Sequence, residues 1–196
     1  AHFGLTVLRR SKRPGLLALL KELRIAQEYL AEDDIGFMIA PRINAASRMD
    51  VPFRAFELLS TRDPKQAKEL AQYLQKINER RKGIVASIIK DARKHLKERT
   101  VRELIVIGNP NWQPGVLGLV AGKLVEDYAR PVFVWGKGEA VHIKGSCRSD
   151  GSVNVVALMQ SVRAGMFLDL GGHEASGGFS ILHEQVHLLE DELVIA

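Results

Sequence analysis

The sequence has very little cysteine and no long apolar segment. Cys147 is the single cysteine among 196 residues, so no disulfide can form within the chain, which favours a cytoplasmic location. No apolar run approaches the roughly 20 residues that a membrane-spanning helix needs, and we expect neither a signal peptide nor a membrane partner. Apolar residues make up 46% of the chain and charged residues 26%, which is typical of a globular protein.

Clustered acidic residues and histidines are also missing. Two-metal phosphoester chemistry requires such a cluster. The chain shows no DxD or DHH-like grouping at the candidate aspartates, which are Asp33, Asp34, Asp50, Asp150 and Asp169. We therefore expect no metal site within this chain. It begins at Ala1 rather than at a methionine, and we expect it to be a part of a longer protein.

Positive charge is concentrated in the first half of the sequence. Residues 1–100 contain 21 Lys and Arg against 12 Asp and Glu, whereas residues 101–196 contain 7 against 11. A basic half-chain favours contact with a polyanion such as nucleic acid, although surface helices also carry excess lysine and arginine.

The pattern of residues 1–99 predicts helices and connections. Pro14 suits the first turn of a helix that we expect to run to about Tyr29. We interpret residues 1–62 as a connecting region between two lobes, with the segment PRINAASR (residues 41–48) as a loop. The pair Asp63-Pro64 predicts the start of a long helix over residues 63–99, about 50 Å in length at 1.5 Å per residue.

The pattern changes after Thr100. Short β-branched runs predict strands in ELIVIGN, PVFVWG, AVHIKGSCRS and GFSILHE, and helices are predicted between them and at the C-terminus. Strands that alternate with helices indicate an α/β fold with a mixed sheet. Residues 100–196 therefore form a predicted α/β domain that follows the long helix.

The turn NWQPG (residues 111–115) and the helix after it form a first candidate anion site. The N-terminal N–H groups of such a helix point towards the carboxyl end of the preceding strand, where anions bind. We place Trp112, Gln113 and Gly115 at this site, with Trp112 as a candidate for stacking on a base. The alternative interpretation is helix–sheet packing through the small residues.

The segment KGSCRS presents two candidate phosphate ligands. Ser146 and Arg148 alternate along a predicted strand, so both point to one face, and a hydroxyl with a guanidinium matches the oxygens of a phosphate. The alternative is a surface arginine beside a turn serine. Cys147 points to the other face and is interpreted as a packing residue.

The segment LGGHEASGG raises the question of why one histidine stands among so many glycines. Gly171 and Gly172 precede His173, and bare backbone lets a ligand approach closely while the imidazole donates to a phosphate oxygen.

The segment PRINAASR offers three further candidates. Arg42 and Arg48 are candidates for binding backbone phosphates, and Asn44 is a candidate for a hydrogen bond to a base or sugar. The alternative is a loop that forms salt bridges between two lobes.

These motifs, taken in order, resemble a known family. PRINAASRM, LQKINERRK, WQPGVLGLVAGKLVE, KGSCRS and GGHEASGG are similar to the C-terminal half of the core of RecJ-like exonucleases, in the DHH phosphoesterase superfamily. The resemblance covers residues 13–193. Two positions depart from it, because Gln113 replaces a frequent histidine and Ser47 a usual glycine.

The resemblance implies a two-lobe enzyme that removes nucleotides from the 5′ end of single-stranded DNA. The N-terminal DHH lobe, outside this sequence, would bind two Mn²⁺ or Mg²⁺ ions and would be a partner of this chain. Ser146 and Arg148 would hold the terminal phosphate, and His173 would act catalytically close to the scissile phosphate. Arg42 and Asn44 would lie near the nucleic-acid backbone.

Two alternatives stay open at this point. One is a related phosphoesterase that acts on short oligoribonucleotides or cyclic dinucleotides, and the other is a non-catalytic nucleic-acid-binding module. The long basic helix and PRINAASR favour the exonuclease. Because metal ligands are missing, we expect this chain alone to be inactive.

Overall fold

The computed structural model describes residues 2–49, 51–137 and 140–196. The chain forms two compact units, Ala1–Gly83 and Ile84–Ala196, and the division between them falls inside a long helix. None of the described helices combines the length and the apolar character that crossing a membrane requires.

The first unit is helical. It contains α1 (His2–Arg9), α2 (Pro14–Glu22), α3 (Ala40–Met49), α4 (Phe53–Ser60) and the first part of α5 (Pro64–Lys97). A short 3₁₀ helix, Gln27–Tyr29, and a π-helix, Asp34–Ile39, separate α2 from α3. Its core is a cluster of buried leucines and alanines from α2, α3, α4 and α5.

Helix α2 is shorter than the sequence predicts. It begins at Pro14 as expected but ends at Glu22, not near Tyr29. Arg24 adopts the left-handed backbone conformation, with φ 57°, and the N–H of Ile25 donates to the carbonyl oxygen of Leu20. This conformation closes a helix, since a residue with positive φ cannot continue the right-handed turn.

The prediction of a loop at PRINAASR is wrong. The segment lies in α3, which follows directly on the π-helix. Pro41 stands in the first turn of α3, where a missing N–H is tolerated, and Ala45 and Ala46 are fully buried small residues with high helix propensity. The proline and asparagine therefore stand in a helix that tertiary packing holds in place.

The long helix is present as α5 (Pro64–Lys97), within the range expected from the sequence. The Asp63 side chain accepts a hydrogen bond from the N–H of Lys65 at 2.9 Å, which is the cap that the Asp-Pro pair predicts. Residues up to Gly83 belong to the first unit and residues from Ile84 to the second.

The second unit is built on a mixed five-stranded sheet. Its strands are β1 (Ile105–Asn109), β2 (Val132–Gly136), β3 (Ile143–Arg148), β4 (Asp169–His173) and β5 (Ser176–Ile181), in the order β1-β2-β3-β5-β4. β1 and β2 are parallel, and the other pairs are antiparallel. This confirms the predicted α/β fold with a mixed sheet; strand β4 was not predicted.

Helices cover the sheet. Val106, Phe133 and Cys147 lie opposite one another on β1, β2 and β3, and they share a buried cluster with α7 (Val155–Ser161) and α8 (Leu189–Ile195). α6 (Leu117–Tyr128) contacts β2 and β3. A 3₁₀ turn, Pro114–Val116, leads into α6, and a second one, His183–Leu188, leads into α8. The face of β3 towards α6 positions the candidate site.

Candidate phosphate-binding site

Ser146 and Arg148 point to the same face of β3, as their alternation predicts. Both lie beside Gly118 in the first turn of α6: a Cβ added at Gly118 would lie 2.9 Å from Arg148 Nη2 and 3.7 Å from Ser146 Oγ. Cys147, between them, is fully buried on the opposite face. Because Gly118 has no side chain, the Arg148 guanidinium and the Ser146 hydroxyl can lie close to the backbone of α6.

The guanidinium of Arg148 is held by its own strand. Arg148 Nη1 donates to the carbonyl oxygen of Cys147 at 2.7 Å, and the side chain remains partly exposed. The first turn of α6 carries the partial positive charge of a helix N-terminus. A guanidinium, a hydroxyl and a helix N-terminus side by side form a site suited to a phosphate.

The segment GGHEASGG is a β-hairpin and not an isolated turn. β4 and β5 pair in antiparallel fashion, with His173 opposite Ser176, so Glu174 and Ala175 form a two-residue turn. The carbonyl oxygen of Glu174 accepts a hydrogen bond from Val155 N–H at 2.9 Å, and that of Ala175 accepts one from Ser149 N–H at 3.0 Å. The hairpin tip is thus fixed to the loop that follows β3 and to the first residue of the helix Val155–Ser161.

The glycines of this hairpin have different reasons to be glycine. Gly172 has φ +143°, and a Cβ there would lie 2.3 Å from the carbonyl oxygen of Ser176. Gly177 faces Cys147 and Met159 in the core. Gly171, in contrast, would place a Cβ in open space, with no atom within 4 Å. Gly171 is therefore free of a structural demand on its missing side chain.

A bare strip of sheet adjoins Ser146. Ser146, Gly178 and Gly171 lie opposite one another across β3, β5 and β4, and directly opposed residues share a face. The added Cβ of Gly178 has only one contact, at 3.6 Å. The site therefore has the Ser146 hydroxyl on one side and, next to it, Gly178 and Gly171, which have no side chains. A ligand can lie directly against the backbone at these two glycines.

His173 lies on the same face as Arg148. The two residues flank Ser176 on β5, one on each neighbouring strand. Strands lie about 4.8 Å apart, so the two backbones are separated by roughly 10 Å, which leaves room for a phosphate between their side chains. His173 is exposed. The structure thus brings together Ser146, Arg148, Gly171 and His173 on one face of the sheet. Gly172 does not join them, because it lies opposite Gly177, which pairs with Cys147 and faces the core.

Residues 112–115 have unequal roles. Gln113 and Gly115 are exposed, and Gln113 is the N-cap residue of the 3₁₀ turn that leads into α6. Trp112 is only 5% exposed, and its indole N–H donates to Asp91 at 3.3 Å. This burial leaves little of the ring surface for a base, and the interpretation of Trp112 as a stacking platform stays a prediction.

Arg42, Asn44 and Arg48 belong to the first unit. Arg42 is 6% exposed and donates to Gln75 at 2.9 Å and to the carbonyl oxygen of Met38 at 2.8 Å. Burial lowers the pKa of Arg42, while Glu79 opposes that shift. Arg42 is thus mainly a packing residue of a helix, whereas Asn44 and Arg48 are exposed on α3.

Sequence reasoning missed two residues near these sites. Arg81 of α5 lies close enough to Arg42 and Arg48 for all three to interact: burial lowers the pKa of Arg81, and the charges of Arg48 and Arg42 lower it further. The only sign of Arg81 in the sequence is that it interrupts the apolar positions of the long helix, between Ile77 and Ile84. Gly118 is one of the small residues of the helix after NWQPG for which the sequence left helix–sheet packing open, and its place beside Arg148 depends on a strand pairing that no local pattern reveals.

No group of three or more His, Cys, Asp or Glu side chains that could hold a metal ion occurs among the described residues. Asp50, which the sequence analysis considered, lies outside the described residues. The donor set of the described residues therefore does not fit a divalent metal centre.

Comparison with known proteins gives a consistent result. Residues 100–193 match the DHHA1 domain family. The chain is 34% identical over 193 residues to the single-stranded-DNA-specific exonuclease RecJ of Haemophilus influenzae, covering 94% of this chain and 34% of that protein. For RecJ of Bacillus subtilis the identity is 33% over 195 residues, covering 98% and 25%. The chain thus spans only about a quarter to a third of these curated relatives.

Solved structures agree with the sequence relatives. The crystal structure of RecJ from Thermus thermophilus in complex with Mg²⁺ matches with a TM-score of 0.84 at 29% identity, covering 97% of this chain and 29% of that one. A structure of exonuclease RecJ bound to manganese matches with a TM-score of 0.81 at 30% identity, covering 97% and 46%.

Proposed function

Because this chain belongs to the RecJ family, we propose that it is the substrate-binding part of a metal-dependent exonuclease that degrades single-stranded DNA from the 5′ end. Residues 100–193 supply its DHHA1 domain. The hydrolytic activity, the single-stranded DNA and the 5′ polarity belong to the complete protein.

One observation carries the proposal. Ser146 and Arg148 meet beside the first turn of α6, next to the bare strip at Gly171 and Gly178. A terminal phosphate carries up to two negative charges, so it gains more from a guanidinium and a helix N-terminus than an internal phosphodiester does. We assign this place to the 5′-terminal phosphate of the DNA strand.

His173 is positioned to act on the next phosphate along the strand. It follows the bare strip, and its ring is accessible at the end of the hairpin. An imidazole N–H that donates to a non-bridging phosphate oxygen stabilises the charge that develops during hydrolysis. The hairpin turn, whose carbonyl oxygens accept from Ser149 and Val155, holds the backbone that follows His173 in place.

The metal ions of the reaction are assigned elsewhere. Relatives have been crystallised with Mn²⁺ and with Mg²⁺, but the described residues of this chain hold no set of ligands for such an ion. We propose that a DHH domain of the same protein binds them and that the 196-residue chain alone does not hydrolyse DNA.

Asn44 and Arg48 on α3 are proposed to contact the nucleic-acid backbone. Both are exposed, and Arg81 adds positive charge close to Arg48. Arg42 contributes indirectly, because its hydrogen bonds to Gln75 and Met38 fix the helix that carries Asn44 and Arg48. A cytoplasmic location stays a prediction from the single cysteine.

The assignment of the terminal phosphate is tested by Arg148→Ala in the complete protein. Binding of a 5′-phosphorylated and a 5′-hydroxyl oligonucleotide is measured by fluorescence anisotropy in EDTA. A hydrogen bond to a charged group is worth about 1.5–3 kcal/mol, so we expect affinity for the phosphorylated strand to fall roughly tenfold to a hundredfold. The hydroxyl strand should lose much less.

The matched control removes a positive charge from the same unit. Lys123 lies on α6 and pairs with Glu126 and Asp127 on the surface. Lys123→Ala should leave the preference for the phosphorylated end unchanged. If Arg148→Ala weakens both strands equally, Arg148 contacts the backbone in general and the assignment to the terminal phosphate is wrong.

A further inference from the structure

The second unit contains a groove that the proposed function does not use. Its volume is about 900 Å³, and it lies between the C-terminal half of α5 and residues 111–113. Ile88 and Trp112, both buried, form its floor. The indole of Trp112 donates to Asp91 of α5 at 3.3 Å, so this bond joins the two walls.

Three lysines line one wall of this groove. Lys90, Lys94 and Lys97 are all exposed and follow one another at spacings of four and three residues, which places them along one side of α5. They cover about 10 Å of the helix at 1.5 Å per residue. Within the described part of the chain, none of these three ammonium groups takes part in an ion pair or a hydrogen bond.

The acidic groups near the lysines are already engaged. Asp91 accepts the indole N–H of Trp112, and Asp127 accepts two hydrogen bonds from Arg93. The indole N–H is neutral and does not offset the charge of the Asp91 carboxylate, so the wall presents three ammonium groups against one carboxylate and is net positive. Amide side chains, which pair with phosphate and base edges alike, line the opposite wall at Asn111 and Gln113.

Gln113 connects this groove with the phosphate site. It lines the groove, and it is also the N-cap of the 3₁₀ turn that leads into α6, where Gly118 touches Arg148. Gln113 is therefore shared by the groove and by the turn that leads to the helix beside Arg148.

We infer that this groove, formed by Lys90, Lys94 and Lys97 with Asn111 and Gln113, binds the phosphate backbone of single-stranded nucleic acid several nucleotides away from the terminal phosphate. The inference rests on the proposed function and extends it. Positive charges at regular spacing along a helix suit single-stranded nucleic acid, which carries one negative charge per nucleotide. An open groove binds such a strand through its backbone, without preference for a base sequence.

The test compares two 5′-phosphorylated oligonucleotides, a trinucleotide and a 20-mer, bound by the complete protein in EDTA over a range of salt concentrations. Each phosphate contact on a single strand contributes about 0.7 to the slope of log K against log salt. Changing Lys90, Lys94 and Lys97 together to Gln should lower the slope for the 20-mer by about 2. The trinucleotide, which stays at the Arg148 site, should bind as before.

Two further triple variants complete the design. Arginine at the same three positions keeps the charge and should keep the slope. Gln at Lys21, Lys65 and Lys68, which are exposed lysines of the first unit, removes the same charge outside this groove and should change the slope less. Melting curves check that each variant is folded.

Two kinds of result would overturn the inference, and a third would overturn only the terminal-phosphate assignment. An unchanged slope in the groove variant, or a fall no larger than in the first-unit variant, would show that the groove does not hold the strand. Competition by a polyglutamate peptide that depends on the same lysines would assign the groove to an acidic protein segment. If Arg148→Ala leaves both oligonucleotides unaffected while the groove variant changes the slope, the terminal-phosphate assignment fails and the groove stands.

Discussion

Two neighbouring glycines of the GGH motif should respond to alanine in opposite ways. Gly172→Ala puts a methyl group 2.3 Å from the carbonyl oxygen of Ser176 and 2.6 Å from Gly177 Cα, at a φ of +143°. Gly171→Ala puts it in open space. The first change therefore requires movement of the backbone, and the second does not.

The structure sets the size of both effects. A residue held in a backbone region reserved for glycine costs about 1–3 kcal/mol, and the clash with backbone atoms adds to this. For a chain of this size, 1 kcal/mol shifts Tm by about 2–4 °C. We expect the backbone strain alone in Gly172→Ala to lower Tm by roughly 2–12 °C, whereas Gly171→Ala should keep Tm or raise it slightly, since alanine restricts the unfolded chain.

Binding should separate the two variants further. The methyl group of Gly171→Ala would stand on the bare strip opposite Gly178 and keep a bound phosphate from lying against the backbone there. Weakening one hydrogen bond to a charged group by about 1.5 kcal/mol lowers affinity on the order of tenfold. The measurements are a thermal melt and anisotropy with a 5′-phosphorylated oligonucleotide. A stable Gly171→Ala protein with normal affinity would refute the reasoning that this strip receives the ligand.

Three further predictions concern other parts of the account. Gly118→Ala should leave Tm nearly unchanged, because the only close atom is the end of the Arg148 side chain, but it should displace that guanidinium and weaken binding of phosphorylated DNA in anisotropy measurements. Burial raises the pKa of Cys147 to about 11, so about one thiol in a thousand is ionised at pH 8, and iodoacetamide should label it only after denaturation, as mass spectrometry would show. The purified 196-residue chain should release no nucleotides from labelled single-stranded DNA with Mn²⁺, and cleavage that follows the chain through purification would contradict the assignment of the metals to another domain.

The sheet was largely predictable because its central strands have strong local signals. IVIGN and VFVWG combine β-branched and aromatic residues over five positions, and the alternation in KGSCRS already placed Ser146 and Arg148 on one face. Asp63 and Pro64 likewise marked the start of α5. These elements follow from propensity and capping, which act within a few residues.

Other features depend on contacts that are distant in sequence. β4 reads DLGGH, and two glycines weaken its strand signal, so its pairing with β5 decides its structure. PRINAASR is helical because Ala45 and Ala46 pack against the rest of the first unit. Trp112 is buried through its bond to Asp91, a residue 21 positions away. Local sequence propensity does not predict structure that depends on contacts between residues far apart in the sequence.

The most direct test of the central claim is single-turnover cleavage by His173→Ala in the complete protein. The imidazole is proposed to donate to the scissile phosphate, and loss of one such donor typically slows the chemical step by about 10²–10³. We expect the variant to melt near the normal Tm, because His173 is exposed, and to bind single-stranded DNA. At saturating enzyme it should cleave at least about tenfold more slowly. A normal cleavage rate would contradict the account and would leave the hairpin of GGHEASGG as a structural element only.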